Sequence, residues 1–255
     1  MKLSASLLRP ALLLTALAFA VTAAPASVSE KFSQTYPLNA DGTVSLDSVN
    51  GTVEIIAWDK NEVSVDAEKI ASDDEALARV TIEVDSSASR LAIKTKHEKI
   101  GWKFWKGRTA EVRYKLRVPA GASLKKIDVV NADVRVRGVQ GYVDLDSVNG
   151  SIEAEGLTAG GRFDTVNGSI RATFAKLSPS DRIVLDTVNG TCTAIVPADA
   201  AFTLKADSVN GRVSCDFPIT IAKSGRRTLN GSVNGGGAEI VLDSVNGGLN
   251  VRAAK

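Results

Sequence analysis

The chain has 255 residues, with 31 basic and 29 acidic side chains, one histidine and two cysteines. That length suits one or two domains and can bury a proper core. The charge balance speaks against nucleic acid as a partner, and one histidine with two cysteines leaves no Cys/His cluster of the kind that holds a structural metal.

The first element is an export signal. Lys2 and Arg9 give a basic start, an apolar run follows from Ala11 to Val21, and "VTAAPAS" offers small residues for cleavage after Ala23, Ala24 or Ala26. The run is too short to span a bilayer, and no later segment reads as a transmembrane anchor. Residues 1–26 are therefore expected to leave, and the mature chain to be periplasmic, secreted or at the cell surface. Without Lys2 and Arg9 it carries 29 basic and 29 acidic residues.

The charge is unevenly placed. Residues 26–89 hold 4 basic and 13 acidic side chains, and residues 90–126 hold 12 and 2. Two readings stay open: acidic strands pairing with basic strands in one sheet, or a basic face that meets an anionic envelope polymer.

Residues 27–126 form the predicted N-terminal β region. It holds a first copy of a motif, "LDSVNGTVEI" at Leu46, then its own elements. "EVSVDAEKI" alternates as a strand, and "SDDEALARV" reads as a short helix capped by Ser72 with Glu75 three residues later. "VTIEVDS", "RLAIKTK" and "AEVRYKLRVP" read as three further strands. Together they predict a small cap sheet, with one short helix, that hides the open edge of the C-terminal repeats.

Within this region "HEKIGWKFWKGR" mixes aromatic and basic side chains, which suits stacking on sugars or contact with lipid headgroups. Trp102, Lys103, Phe104, Trp105, Lys106 and Arg108 are the candidate ligand-binding residues; the competing reading is a hairpin tip folded back over its sheet. His97 begins the segment, and nothing beside it resembles a nucleophile turn, so it reads as a surface histidine.

From residue 127 onward the motif recurs. The aligned asparagines are Asn50, Asn131, Asn149, Asn167, Asn189, Asn210, Asn230 and Asn246, the last seven separated by 16 to 22 residues. A signature at a period near twenty marks a stacked repeat. Apolar residues three and five places after the asparagine, with polar residues between, give strands with one buried face. The positions one before and four before the asparagine are both apolar, an odd spacing that predicts a bulge at the intervening Asp-Ser/Thr. Asn-Gly predicts a turn, because both residues tolerate positive φ.

These features predict an all-β protein: a parallel β-solenoid of six or seven coils, with successive copies stacked so that Val lies on Val and Asn on Asn. A twisted sandwich of meanders is the alternative. The aspartates three before the asparagine, such as Asp146 and Asp186, would form a row, either shaping the corner through local hydrogen bonds or weakly holding cations. No metal or cofactor is expected. Cys192 and Cys215, in consecutive copies, would lie about 8 Å apart if the copies stack in order, too far for a disulfide, so two thiols are expected.

The "D-S/T-V-N-G-x-I/V" copies, the signal segment and the linker "YKLRVPAGASLKKIDVVNADVRVRG" resemble the bacterial putative-adhesin β-strand-repeat family. The resemblance runs from about Ser33 to Arg252. It implies a right-handed β-helix-like fold and an envelope location, and it carries over no catalytic residue. This chain departs from the pattern at Ala132 and Arg227, where Gly and Asp are expected. The function read from all this is an exported non-enzymatic adhesive, structural or binding protein, with envelope glycan, lipid headgroup or protein as partner. The alternatives are a carbohydrate-active β-helix enzyme and an accessory of envelope-stress signalling.

Overall fold

The computed structural model describes residues 27–98 and 110–254. Among these residues nineteen strands and one short helix make a nearly all-β protein, arranged as an open, solenoid-like stack. Each regular rung has a first strand, a corner at Asn-Gly, and a second strand. Examples are β8 (Val143–Asn149) with β9 (Ile152–Leu157), β10 (Gly161–Asn167) with β11 (Ile170–Phe174), and β12 (Arg182–Asn189) with β13 (Cys192–Val196). Equivalent strands pair in parallel and in register, Asn149 beside Asn167 beside Asn189. The corner thus folds one sheet into two walls, whose inner faces share a continuous core.

The N-terminal region extends both walls. β2 (Thr43–Trp58) and β7 (Ser123–Arg137) run unbroken through their corners and serve each wall in turn. β5 (Arg90–His97) adds to the first half of β2 and β6 (Ala110–Pro119) to the second half. β4 (Val80–Ser86) then ends the first wall, and β3 (Glu62–Ala71) and β1 (Val28–Pro37) end the second, all three antiparallel. The charge imbalance resolves as pairing across these strands: Lys94 with Asp47 at 3.3 Å and Lys96 with Glu83 at 2.7 Å.

Between β3 and β4 lies α1 (Asp74–Ala78). Its cap is Asp73 rather than Ser72: the Asp73 carboxylate accepts the Ala76 N–H at 2.7 Å, and the Ser72 hydroxyl is buried with no partner among the described residues. An ionised acceptor at a helix N-terminus outcompetes a hydroxyl one residue earlier.

The rungs do not follow chain order. β14 (Phe202–Ser208) and β15 (Val213–Cys215) come next in sequence after β12 and β13, yet they do not pair with them. The last two strands, β18 (Ala238–Asn246) and β19 (Leu249–Ala253), lie between, paired with β12 and β13 on one side and β14 and β15 on the other. The order along the stack is therefore Asn50, Asn131, Asn149, Asn167, Asn189, Asn246, Asn210. The copy at Asn230 leaves the series. It sits on β17 (Thr228–Val233), which runs antiparallel to β14 and carries β16 (Thr220–Ser224) at its far edge; there the Asn230 side chain accepts the Ala206 N–H at 3.2 Å. The inserted rung also separates Cys192 from Cys215, because β19 lies between their strands. Both thiols are free, and burial pushes the Cys192 thiol up to about 12.

Candidate functional site

Each letter of the repeated D-S/T-V-N-G has a separate place. From the apolar residue four before the asparagine to the Val the first strand alternates without a bulge; the register shifts of β2 and β7 fall earlier, at Val44–Leu46 and Leu124–Ile127. The Ser or Thr points inward and the Val outward: Thr187 is 0% exposed, and Val188 beside it is 39% exposed. The inward hydroxyl donates to the carbonyl oxygen of the glycine, one rung back along the stack, at 3.0 Å from Thr165 to Gly150 and at 3.0 Å from Thr187 to Gly168. The same bond joins Ser208 to Gly247 at 3.1 Å. A buried hydroxyl with its partner fixed is cheap to bury, which is why a small polar residue succeeds at this inward position.

Asparagine and glycine close the corner. Six side-chain amide bonds join seven asparagines, each Nδ2 donating to the Oδ1 of its neighbour at 2.8 to 3.0 Å. Close approach of rungs explains the glycine: a Cβ on Gly168 would lie 2.1 Å from the Gly150 oxygen, and one on Gly190 1.9 Å from the Gly168 oxygen. Positive φ is not the common reason, since among the motif glycines only Gly51 and Gly150 show it, and no motif asparagine does.

Aspartate and valine are left facing out. On the first wall Val130, Val148, Val166, Val188, Val245 and Val209 form an exposed apolar row, each at least 38% exposed. Two residues earlier the aspartates form a parallel row. Between them runs a shallow groove of about 470 Å³, lined from Asp47 to Val188 over five rungs. Asp47 pairs with Lys94 at 3.3 Å, Asp128 with Lys126 at 3.7 Å and Asp164 with Arg162 at 2.5 Å. Asp146, Asp186 and Asp243 have no ion pair among the described residues. Burial, reinforced by Asp164, Asp144 and Asp128, raises the Asp146 carboxyl to about 6. Burial likewise raises Asp186 and Asp243, and the neighbouring carboxylates add to it. A line of carboxylates one rung apart does not converge on a point, and no group of three or more His, Cys, Asp or Glu among the described residues could hold a metal ion.

The outer face of the second wall is built differently. Arg135 meets Glu153 at 3.4 Å, and Arg137 bridges Glu54 at 3.2 Å and Glu155 at 3.3 Å. Over the rungs at Asn50, Asn131 and Asn149 acidic and basic residues alternate there and pair with one another.

Trp102, Lys103, Phe104, Trp105, Lys106 and Arg108 lie outside the described residues. Their place in the chain is informative all the same. β5 and β6 form one rung beside β2, and residues 98–109 connect them where the rungs at Asn149, Asn167, Asn189 and Asn246 have two residues at the corner. His97 closes β5 and is half-buried rather than a surface loop residue; burial lowers its pKa, and its Nε2 has no partner among the described residues. The remaining tryptophan, Trp58, is structural: its Nε1 donates to the Glu62 carbonyl at 2.8 Å, and Lys60 sits over its ring.

Among the described residues no helix is long and apolar enough to cross a membrane. The family model described as Toastrack DUF4097 matches residues 120–252, just over half of the chain. No curated protein matches. Among solved structures, a putative cell adhesion protein from Clostridium sporogenes is 11% identical, with 88% of this chain and 100% of that chain covered at a TM-score of 0.45. A putative adhesin from Bacteroides fragilis is 12% identical over 87% of this chain and 97% of that chain, with a TM-score of 0.38. A putative lipid binding protein from Parabacteroides distasonis is 11% identical over 89% and 97%, with a TM-score of 0.31.

Proposed function

The chain belongs to the Toastrack DUF4097 family, and from that premise we propose that it is an exported, non-enzymatic binding protein of the cell envelope, of the adhesin kind. Residues 1–26 serve as its signal, residues 27–126 as the cap-bearing region and residues 127–255 as the repeat stack. Its contact with envelope glycan or lipid headgroups is made by Trp102, Lys103, Phe104, Trp105, Lys106 and Arg108. The observation that carries this reading is the rung made by β5 and β6, where twelve residues rich in aromatic and basic side chains replace a two-residue corner. A rigid stack that presents one long connection at a rung end is the arrangement in which binding residues sit on loops held by a scaffold.

The flatness of the aspartate row supports binding over polysaccharide cleavage. Only three residues, Thr158 to Gly160, connect β9 to β10, too few to raise a cleft wall beside Asp146 and Asp164.

The test is an array of bacterial and host glycans and lipids probed with the purified mature protein. Binding is expected, and Trp102→Ala with Trp105→Ala should abolish it without moving the unfolding midpoint. Absence of binding, or equal binding by the double variant, overturns the reading.

A further inference from the structure

The outward letters of the motif, Asp and Val, do nothing for the corner, yet they recur on rung after rung. Val148, Val166, Val188 and Val245 stand on consecutive rungs, each close to 40% exposed. With their neighbours they expose on the order of a few hundred Å² of apolar surface, the size at which a patch on a monomer is commonly functional. Beside them Asp146, Asp186 and Asp243 are carboxylates without an ion pair among the described residues. We propose that this face is a second binding surface, and that its occupant is a cationic amphipathic helix of a partner protein, lying along the stack axis across the strands.

The spacing selects a helix. Rungs repeat at about 4.8 Å, and one helical turn advances about 5.4 Å. An extended strand laid the same way advances about 6.8 Å between side chains on one face and falls out of step by about 2 Å per rung. Asp186 lies two rungs from Asp146 and Asp243 three rungs, or about 9.6 and 14.4 Å. Lysines at i, i+7 and i+11 of a helix advance about 10.5 and 16.5 Å, and the small remainder is within reach of a flexible lysine side chain. The valine row runs parallel, two residues and so about 6.8 Å away, where the apolar stripe of the same helix falls. Charge decides the sign of the partner: the face offers unpaired carboxylates, whereas the other wall has already neutralised itself through Arg135, Arg137, Glu153 and Glu155.

The competing account of the valine row is self-packing, in which each Val merely covers the next and adds to sheet stability. The experiment separates the two. An 18-residue synthetic helix with lysine at those positions and a leucine stripe beside them is titrated into the mature protein by fluorescence anisotropy. A scrambled peptide of the same composition and polylysine serve as controls. The helix should bind more tightly than either control. Asp146→Asn, Asp186→Asn and Asp243→Asn together should weaken it by about tenfold, as three exposed charge pairs would. Val148→Thr with Val188→Thr should weaken it comparably in a protein that still unfolds cooperatively. Trp102→Ala with Trp105→Ala should leave it unchanged, which separates failure of this site from failure of the glycan or headgroup site. Equal binding of the scrambled peptide or polylysine, or full binding by either face variant, overturns the proposal.

Discussion

The corner column and the outer face of the first wall are written by the same five letters, yet they obey different rules. At the corner the Ser or Thr hydroxyl and the asparagine amide find their partners on the neighbouring rung. Thr187 donates to Gly168, Asn189 donates to Asn167, and the glycine lets the backbones approach. On the outer face carboxylates stand in line, burial and then the neighbouring carboxylates raise the pKa of Asp146, and valines meet solvent. The second wall shows that a neutral outer face was available to this geometry, since Arg137 takes both Glu54 and Glu155 there. The stack therefore draws its stability from the corner and the core, while the Asp-Val face carries a self-repulsion that folding does not require.

That contrast is broken most severely at the glycine. Gly168→Ala puts a methyl group 2.1 Å from the Gly150 oxygen, against backbone atoms that cannot move aside as a side chain would. A loss of about 3 kcal/mol is expected, at the upper end for overpacking, read as a fall in the denaturant midpoint. At the equivalent place on β7 the methyl group of Ala132 is accommodated and buried. A milder test is Thr187→Val, which keeps the shape and removes the hydroxyl bond to the Gly168 oxygen, 3.0 Å away at a fully buried site. It should cost about 1–2 kcal/mol by the same measurement.

Asp146→Asn is the smallest change and has the opposite sign, a slight gain in melting temperature at pH 7. The folded carboxyl titrates at about 6, above its ordinary value of 3.8, so the folded state holds that proton more tightly than the unfolded chain does. Stability contributed by Asp146 is present below pH 4 and is lost as pH rises towards 6. The advantage of the Asn variant should therefore grow from pH 4 to 6 and then level off. A variant less stable than the parent at pH 7 would show that the row stabilises the stack.

Much of this was legible in the sequence because strands alternate strictly. Ile152, Ala154, Ile170 and Ala172 point inward as their spacing predicts. The valine before the asparagine misled for the same reason. Apolarity suggested burial, which required a bulge, whereas the buried side chain is the Ser or Thr whose hydroxyl is satisfied across rungs. That bond reaches a neighbouring rung and leaves no mark in local pattern. The order of rungs was equally hidden. Asn246 and Asn210 sit in near-identical words, so nothing local says which of them comes after Asn189. Asn230 differs through Arg226 and Arg227, where the pattern calls for an apolar residue and Asp, and through Leu229 in place of Val, and those departures accompany its move to an antiparallel strand.

The placement of β18 and β19 constrains how such a protein is made and how it lengthens. β18 and β19 follow β14 and β15 in the chain yet lie inside them in the stack, so β12 and β13 keep an unpaired border until β18 and β19 have been made, and the β14–β17 pair has no parallel neighbour before then. Zipping from the N-terminus, the ordinary route for repeat arrays, stops at Asn189 and waits. A copy inserted among the rungs from Asn131 to Asn189 would leave that wedge in place.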